Sequence, residues 1–301
     1  MRGIKTQREA SAETPEPVTW SHFTLDRRGP RYWHVTFDHP PINTITATTV
    51  AELSELVEMI ERAAELNVVV FDSANPDFFL AHYDTENDLS KTGALPPGPT
   101  GMPAWIDVTA RLSRARAVSI ASIRGRARGA GSEFVLACDL RFASRENTLL
   151  GQFEVGSGLV PGGGPMARLS RLVGRGRALE ILLVADDFDG PRAECYGYVN
   201  RVVDDDRLDA EVQEIASRLA RFDHDAIALT KSYVDQVTLP PDSELPPALA
   251  DFRQAFTRPG PMARLARLEE LGLNLDSDLE RRLGERVVEA APEGSRPGVA
   301  P

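Results

Sequence analysis

Two glutamates in glycine-rich frames are the residues of this sequence best suited to chemistry. Glu133 ends the run GAGSE at 129–133, and Glu154 ends the run GQFE at 151–154. If both side chains reach one pocket, their like charges raise the pKa of one carboxyl, so that one group can act as an acid and the other as a base. The addition of water to an activated double bond needs such a pair, because one group deprotonates water and the other protonates carbon. The alternative, a pair of surface glutamates, is disfavoured by the glycine-rich, apolar surroundings.

Two further segments could stabilise negative charge that develops during a reaction. The first loop, residues 78–84 (FFLAHYD), follows a predicted strand, and the second loop, residues 125–133 (GRARGAGSE), leads from a strand into a helix. The start of a helix offers free N–H groups, and glycines allow close approach of the backbone. One N–H from each loop could bind a single oxyanion. The glycine spacing is not that of a dinucleotide site, and no Gly-Lys-Ser/Thr phosphate loop is present.

Strands and helices alternate between these segments. The alternation predicts parallel β–α units, followed by a helical C-terminal region. The helix after Thr46 is predicted from a capping residue followed by an apolar stripe at Val50, Leu53, Leu56, Val57 and Ile60. Strands are predicted at 32–37, 67–71, 118–123, 140–143 and 199–203, and helices at 104–115, 129–138, about 162–173, 175–184 and from about 205 onward.

Several ordered motifs resemble the enoyl-CoA hydratase/isomerase (crotonase) superfamily. Residues 119–144 (SIASIRGRARGAGSEFVLACDLRFAS) are similar to its signature, and the resemblance covers about residues 30–235. It implies an α/β fold, the crotonase (ClpP-like) spiral of ββα units with a helical C-terminal region, in subunits that form a homotrimer or a hexamer. The other matching segments are 38–43 (DHPPIN), 79–84 (FLAHYD), 151–155 (GQFEV), 158–164 (GLVPGGG) and 197–203 (GYVNRVV).

The resemblance also implies a reaction. An acyl-CoA thioester would bind with its carbonyl oxygen between the backbone N–H groups of Tyr83 and Ala130, the oxyanion hole that stabilises an enolate. Glu133 would activate water for attack at Cβ, and Glu154 would protonate Cα. Hydratases of the family keep both glutamates, whereas isomerases often keep one, so the pair favours an enoyl-CoA hydratase-like lyase that makes a 3-hydroxyacyl-CoA. No metal and no cofactor beyond the coenzyme A of the substrate is expected.

Other residues of the two loops and of the segment after Glu154 are candidates for substrate binding. His82 stands where the family usually has glycine, and it could be a third catalytic or substrate-contacting group or could fill the pocket as a structural residue. Ala130 also replaces a glycine but keeps the N–H. The predicted substrate-binding residues are Ala81, His82, Asp84, Arg128, Gly129 and Gly162.

Three arginines alternate through the second loop, at positions where the family often has neutral residues. Arg124, Arg126 and Arg128 could bind CoA phosphates or a carboxylated acyl tail, or they could form a solvated edge. Two other functions remain open. One is a crotonase-fold isomerase, C–C lyase or hydrolase with different proton routing, and the other is a non-catalytic acyl-CoA-binding scaffold, because a fold does not choose a reaction.

Composition limits the partners and the location. The 301 residues carry a net charge of −11, which disfavours nucleic acid and anionic membranes as partners. Two distant cysteines give no disulfide framework, no run approaches the roughly 20 apolar residues of a membrane span, and no secretory signal precedes the first strand. A cytoplasmic location is therefore expected.

The chain is predicted to have four parts. Residues 1–17 and 291–301 are polar and are predicted to be disordered tails. Residues 18–235 form the predicted crotonase core domain, and residues 236–290 form a helical oligomerisation region. Residues 90–103 are rich in glycine and proline, which is typical of a mobile flap over an active site.

Overall fold

A computed structural model describes residues 19–84 and 89–291 of the chain. Apart from Ala291, the predicted disordered tails lie outside these residues. The strands are β1 (Phe23–Gly29), β2 (Tyr32–Phe37), β3 (Val68–Ser73), β4 (Phe78–Leu80), β5 (Val118–Ile123), β6 (Arg126–Arg128), β7 (Leu140–Ser144), β8 (Leu149–Gly151), β9 (Phe188–Asp189) and β10 (Arg201–Val203).

The helices lie between the strands in the first part of the chain and are consecutive after β10. They are α1 (Ala47–Arg62), α2 (Leu89–Ala94), α3 (Ala104–Arg114), α4 (Ala130–Ala137), α5 (Pro165–Val173), α6 (Arg175–Val184), α7 (Gly190–Tyr196), α8 (Leu208–Leu219), α9 (His224–Thr238), α10 (Pro246–Ala255), α11 (Pro259–Glu270), α12 (Asp278–Arg281) and α13 (Leu283–Arg286).

The strands form two sheets. The larger sheet has the order β1-β2-β3-β5-β7-β10 and is parallel except for the β1–β2 hairpin. The smaller sheet has the order β4-β6-β8-β9. Strands β3, β5 and β7 of the larger sheet are each followed by a short strand of the smaller sheet and then by a helix, so the chain repeats a ββα unit. This repeat agrees with the predicted spiral.

The core explains why the longer elements are visible in the sequence. Strand β3 begins with three valines that are fully buried, as expected of a parallel strand covered on both faces. Phe134 of α4 packs edge-on against Phe37 and Phe71, which anchors the helix of Glu133 to the larger sheet. The side chain of Thr46 caps α1, as predicted.

The helical C-terminal region begins with α8 and covers one side of the site described below. The predicted boundary between residues 235 and 236 falls in the last turn of α9, and the division into domains stays a prediction. Within the described residues, no helix combines the length and the apolar character needed to cross a membrane.

Candidate active site

The two predicted catalytic glutamates line the same cavity, whose volume is about 80 Å³. Tyr83, Ala130 and Gly162 line it as well, so the structure brings together residues from three separate loops. The rest of the wall is mainly apolar and includes Trp105, Phe153, Leu159, Phe252 and Leu273. Like charges placed among apolar side chains are the arrangement that shifts carboxyl pKa values.

Gly131 allows the two loops to meet. A Cβ atom at this position would lie 2.0 Å from the carbonyl oxygen of Leu80 and 2.5 Å from that of Ala81, so no side chain fits between α4 and the first loop. The first loop is fixed in turn by Ile45, whose N–H donates to the carbonyl of His82 at 3.0 Å. Ala130 is the first residue of α4, and it lines the cavity. The N–H groups in the first turn of a helix have no acceptor within that helix.

Glu133 is held by two N–H donors. The indole N–H of Trp105 donates to Oε2 at 2.8 Å, and the backbone N–H of Gly163 donates to Oε1 at 2.7 Å. Burial raises the pKa of Glu133, while these two donors and the charge of Arg168 oppose the rise. Because both donors favour the ionised carboxyl, Glu133 is placed to act as a base.

Glu154 lies in a different environment. Burial and the charge of Glu133 raise the pKa of Glu154 to about 8. The amide of Gln152, in the orientation that satisfies its neighbours, donates to both oxygens of Glu154, at 3.2 and 3.1 Å, which opposes the rise. Glu154 is thus largely protonated near neutral pH and can deliver a proton.

A buried chain of hydrogen-bonded side chains leads from Glu154 through Gln152 and Ser132 to Tyr198. With the amide of Gln152 in the same orientation, its oxygen accepts from the Ser132 hydroxyl at 3.0 Å. Ser132 is also hydrogen-bonded to the hydroxyl of Tyr198, whose pKa is raised by burial. This chain links the helix of Glu133 to the segment of Glu154, so the two carboxyls are positioned together.

His82 lines the cavity, but both of its ring nitrogens are engaged by the protein. Nδ1 lies 2.9 Å from the carbonyl oxygen of Tyr83, and Nε2 lies 2.6 Å from Oε1 of Glu280. Burial alone would lower the pKa of His82, but Glu280 raises it. These contacts favour the structural, pocket-filling role of the two that the sequence left open.

Arg128, a predicted substrate-binding residue, is engaged by other residues of the protein. It is not among the residues that line the cavity, and its side chain is only 2% exposed. The guanidinium donates to both carboxylate oxygens of Asp187 at 2.6 Å and to the carbonyl of Glu280 at 2.5 Å. These contacts join the second loop to Glu280 of the C-terminal region, and the predicted role of Arg128 in substrate binding stays a prediction.

The two other arginines of the second loop are also committed to the protein. Arg124 pairs with Asp205 and Asp209, both at 2.9 Å. Arg126 donates to the backbone carbonyl oxygens of Asp77 and Arg281. Both side chains are partly exposed, and their guanidinium groups are hydrogen-bonded within the protein. The phosphate-binding hypothesis and the solvated-edge alternative stay predictions.

The remaining predicted substrate-binding residues support the cavity without lining it. The N–H groups of Ala81 and Asp84 donate to the backbone of residues 43 and 45, which holds the first loop in place. Gly129 has a φ of 50°, and a Cβ atom there would lie 2.9 Å from Oε1 of Glu154. A side chain at 129 would thus disturb the proton donor.

The predicted flap contributes to the cavity wall. Thr92 and Gly93 of α2, together with Pro103, line the cavity. Asp107 holds the segment 90–103 in contact with α3, because its carboxylate accepts hydrogen bonds from both the N–H and the hydroxyl of Thr100. Mobility of residues 90–103 stays a prediction.

Three residues that contribute to the site were not predicted from the sequence. Two of them are the N–H donors to Glu133, namely Gly163, one residue after the predicted Gly162, and Trp105. Glu280 lies far along the chain in a helical region without a motif. Of these three residues, only Gly163 lies in a recognisable sequence feature, the run of three glycines at 162–164. No group of residues suited to a metal ion occurs in the described part of the chain.

Comparisons with known proteins agree with this fold and cavity. The family described as enoyl-CoA hydratase/isomerase matches residues 32–256. A short-chain-enoyl-CoA hydratase of Clostridium acetobutylicum is 31% identical over 203 residues, which cover 67% of this chain and 77% of the relative. A mevalonyl-coenzyme A hydratase of Aspergillus fumigatus is 33% identical over 193 residues, 62% of this chain and 68% of the relative.

A solved structure extends the likeness to the whole fold. The crystal structure of a proposed enoyl-CoA hydratase from Streptomyces avermitilis has a TM-score of 0.85 and 41% identity, and it covers 90% of this chain and 97% of its own. These likenesses confirm the predicted crotonase fold with its helical C-terminal region. The chain belongs to the enoyl-CoA hydratase/isomerase family of enzymes.

Proposed function

We propose that this protein adds water to a 2-enoyl-CoA thioester and forms a 3-hydroxyacyl-CoA. The observation that carries the proposal is the difference between two carboxyls in one cavity. Glu133 receives two N–H donors, whereas burial and the charge of Glu133 raise the pKa of Glu154 to about 8. One base and one acid are thus present together at neutral pH, as hydration requires.

The proposed mechanism uses each group once. Glu133 takes a proton from water while the water oxygen bonds to Cβ, and the electrons of the double bond move onto the thioester carbonyl oxygen as an enolate. The N–H groups of Tyr83 and Ala130 stabilise this oxyanion. Glu154 then protonates Cα and the carbonyl re-forms. Return of one proton from Glu133 to Glu154 resets the enzyme.

The cavity wall favours an apolar acyl group. Apart from the two glutamates and His82, the inner lining is largely aromatic and aliphatic. Arg253 also lines the cavity and is exposed, and it forms no ion pair among the described residues. A guanidinium at this position suits the phosphates of coenzyme A. The chain carries a net charge of −11, which does not favour nucleic acid as a partner.

The test is hydration of short, medium and aryl 2-enoyl-CoA thioesters, followed as loss of the conjugated absorbance. We expect wild type to hydrate at least one thioester, and Glu133→Gln and Glu154→Gln each to lower kcat by about 10²-fold or more. Glu211→Gln, which alters a surface pair with Arg201, is the matched control and should keep full activity.

The same experiment separates the alternatives. Binding of CoA thioesters without hydration of any of them would contradict the proposal and would direct the search to isomerisation or C–C bond cleavage. Proton transfers alone account for hydration, so we propose that no metal or redox cofactor takes part. Activity should therefore survive dialysis against EDTA, and its loss there would contradict this part.

We also propose a homotrimeric or hexameric enzyme of the cytoplasm. Helix α9 exposes Leu229, Tyr233, Val234 and Val237, with exposed fractions from 53% to 81%. An apolar patch of this kind suits contact with a second copy of the chain. The two cysteines are unpaired, Cys138 buried and Cys195 exposed, which suits a reducing compartment.

A further inference from the structure

Glu280, in the short helix α12, contacts both loops that meet at the cavity. Its side chain pairs with His82 of the first loop at 2.6 Å. Its backbone carbonyl accepts from Arg128 of the second loop at 2.5 Å. One residue thus joins the segment before Tyr83 to the segment before Ala130.

The contact with His82 is a buried ion pair. The side chains of His82 and Glu280 are only 3% and 1% exposed. Both ring nitrogens of His82 face oxygen atoms, a carbonyl at Nδ1 and a carboxyl at Nε2. Because Glu280 raises the pKa of His82 and His82 lowers the pKa of Glu280, the contact is assigned as an imidazolium paired with a carboxylate. Since Nδ1 binds the carbonyl of Tyr83, the ring also fixes the orientation of that residue's backbone.

Glu280 is itself held in place by contacts with Ser277 and Asn274. The hydroxyl of Ser277 accepts from the N–H of Glu280 at 3.1 Å and caps α12, and the N–H of Asn274 donates to Oε1 at 2.8 Å. Gly284 packs so closely on Asp187 that a Cβ atom there would lie 2.4 Å from its backbone nitrogen. Asp187 in turn holds Arg128. The segment of residues 274–284 is therefore packed against the residues that hold the second loop.

We propose that Glu280 is a positioning residue that sets the geometry of the oxyanion hole by holding its two loops together. The inference rests on the function proposed above, because it assumes that Tyr83 and Ala130 bind the thioester oxygen. A pair of N–H donors stabilises an oxyanion only at hydrogen-bonding distance from both, so a small separation of the loops lowers kcat without preventing binding.

The experiment measures polarisation of a bound thioester directly. An aryl-enoyl-CoA with an electron-donating ring substituent absorbs at longer wavelength when its carbonyl is polarised by two N–H donors. We expect a red shift with wild type and a smaller one with Glu280→Gln and with His82→Gln, together with a loss of kcat of about 10-fold and a change in KM of no more than about twofold. Glu285→Gln, which alters the exposed pair with Arg282, is the matched control.

The double variant His82→Gln/Glu280→Gln distinguishes a positioning role of the pair from a role in the fold alone. It removes both charges together, so no unpaired charge remains buried, and its two amides can still hydrogen-bond. A reduced red shift in this folded protein supports the proposal. A full red shift overturns it, and so does a failure of the double variant to fold, because the pair would then serve the fold alone. The absence of a red shift in wild type would instead contradict the proposed function.

Discussion

Glu133 and Glu154 carry the same functional group, and their surroundings give them different protonation states. Trp105 and Gly163 direct N–H groups at Glu133, whereas Glu154 is buried beside a charge of the same sign. Glu133 has the shorter N–H contacts, at 2.7 and 2.8 Å against 3.1 and 3.2 Å from the Gln152 amide to Glu154, so Glu133 ionises first and Glu154 then titrates against its charge. The assignment of base and acid follows from this order and is consistent with the roles that the sequence resemblance implied.

The pH dependence of hydration follows from these protonation states. The active form has Glu133 ionised and Glu154 protonated. Since the pKa of Glu154 is raised to about 8, we expect kcat/KM to fall above that pH with unit slope. The pKa of Glu133 is raised above its ordinary value of 4.5, and it sets the acidic limb. A profile that stays flat from pH 7 to pH 10 would contradict the assignment of Glu154 as the acid.

The raised pKa of Glu154 also predicts a cost in stability. Between pH 4.5 and about 8 the folded state binds more protons at this site than the unfolded state, so stability falls as pH rises through that window. We expect Glu154→Gln to be more stable than wild type, by an amount that grows through the window and levels off at up to about 5 kcal/mol. Urea unfolding at pH 5, 7 and 9 measures it, with Glu211→Gln as the control, and an equal difference at all three pH values would refute the linkage.

At the scale of elements, the turn before α5 positions Glu133. A Cβ atom on Gly163 would lie 1.9 Å from Oε2 of Glu133 and 2.7 Å from Nε1 of Trp105. We therefore expect Gly163→Ala to displace the carboxylate from both donors and to lower kcat by about 10²-fold, with a smaller change in KM.

A second alanine variant is the control for this steric argument. Gly176 lies in the first turn of α6, and a Cβ atom there would meet no other atom within 4 Å, so Gly176→Ala should leave kcat unchanged. Full activity of Gly163→Ala in the same assay would show that Glu133 does not depend on that contact.

The elements differ in how far the sequence predicted them. Long strands such as β2 and β5 were predicted at their observed bounds, because burial imposes a pattern over six residues. Strands β4, β6 and β8 have three residues each and were missed as strands, since their pairing across the smaller sheet, and not local pattern, stabilises them. The helix predicted from about 162 begins at Pro165, because Gly164 before it has a φ of 85°.

In the active site, too, the sequence predicted the residues that lie in local motifs and not the contacts between distant parts of the chain. Glu133 and Glu154 are recognisable because each lies in a short local motif. Glu280 is 198 residues from His82 along the chain, so only the folded structure shows that they pair. The pairing of Arg128 with Asp187, 59 residues away, was not predicted for the same reason. Long-range pairs of charged residues leave no pattern in a single sequence.

At the scale of the whole molecule, helix α9 has little covering in the described part of the chain. Among its described side chains only Ala228 is buried, and the exposed residues Leu183 and Val184 of α6 form a second apolar patch. A helix stabilised mainly by packing needs a partner for such a face. A second copy of the chain, related by rotational symmetry, would provide it.

We therefore expect light scattering after size exclusion to give three or six times the chain mass of 32.9 kDa. Tyr233→Glu/Val237→Glu places two charges on the apolar face, and burying them in an interface costs several kcal/mol, so this variant should elute as a monomer with its helical content kept. Ala64→Glu adds a charge at an exposed turn after α1 and should assemble like wild type. If the charged variant assembles fully, the interface lies elsewhere, and if wild type is a monomer at micromolar concentration, the proposed assembly is wrong.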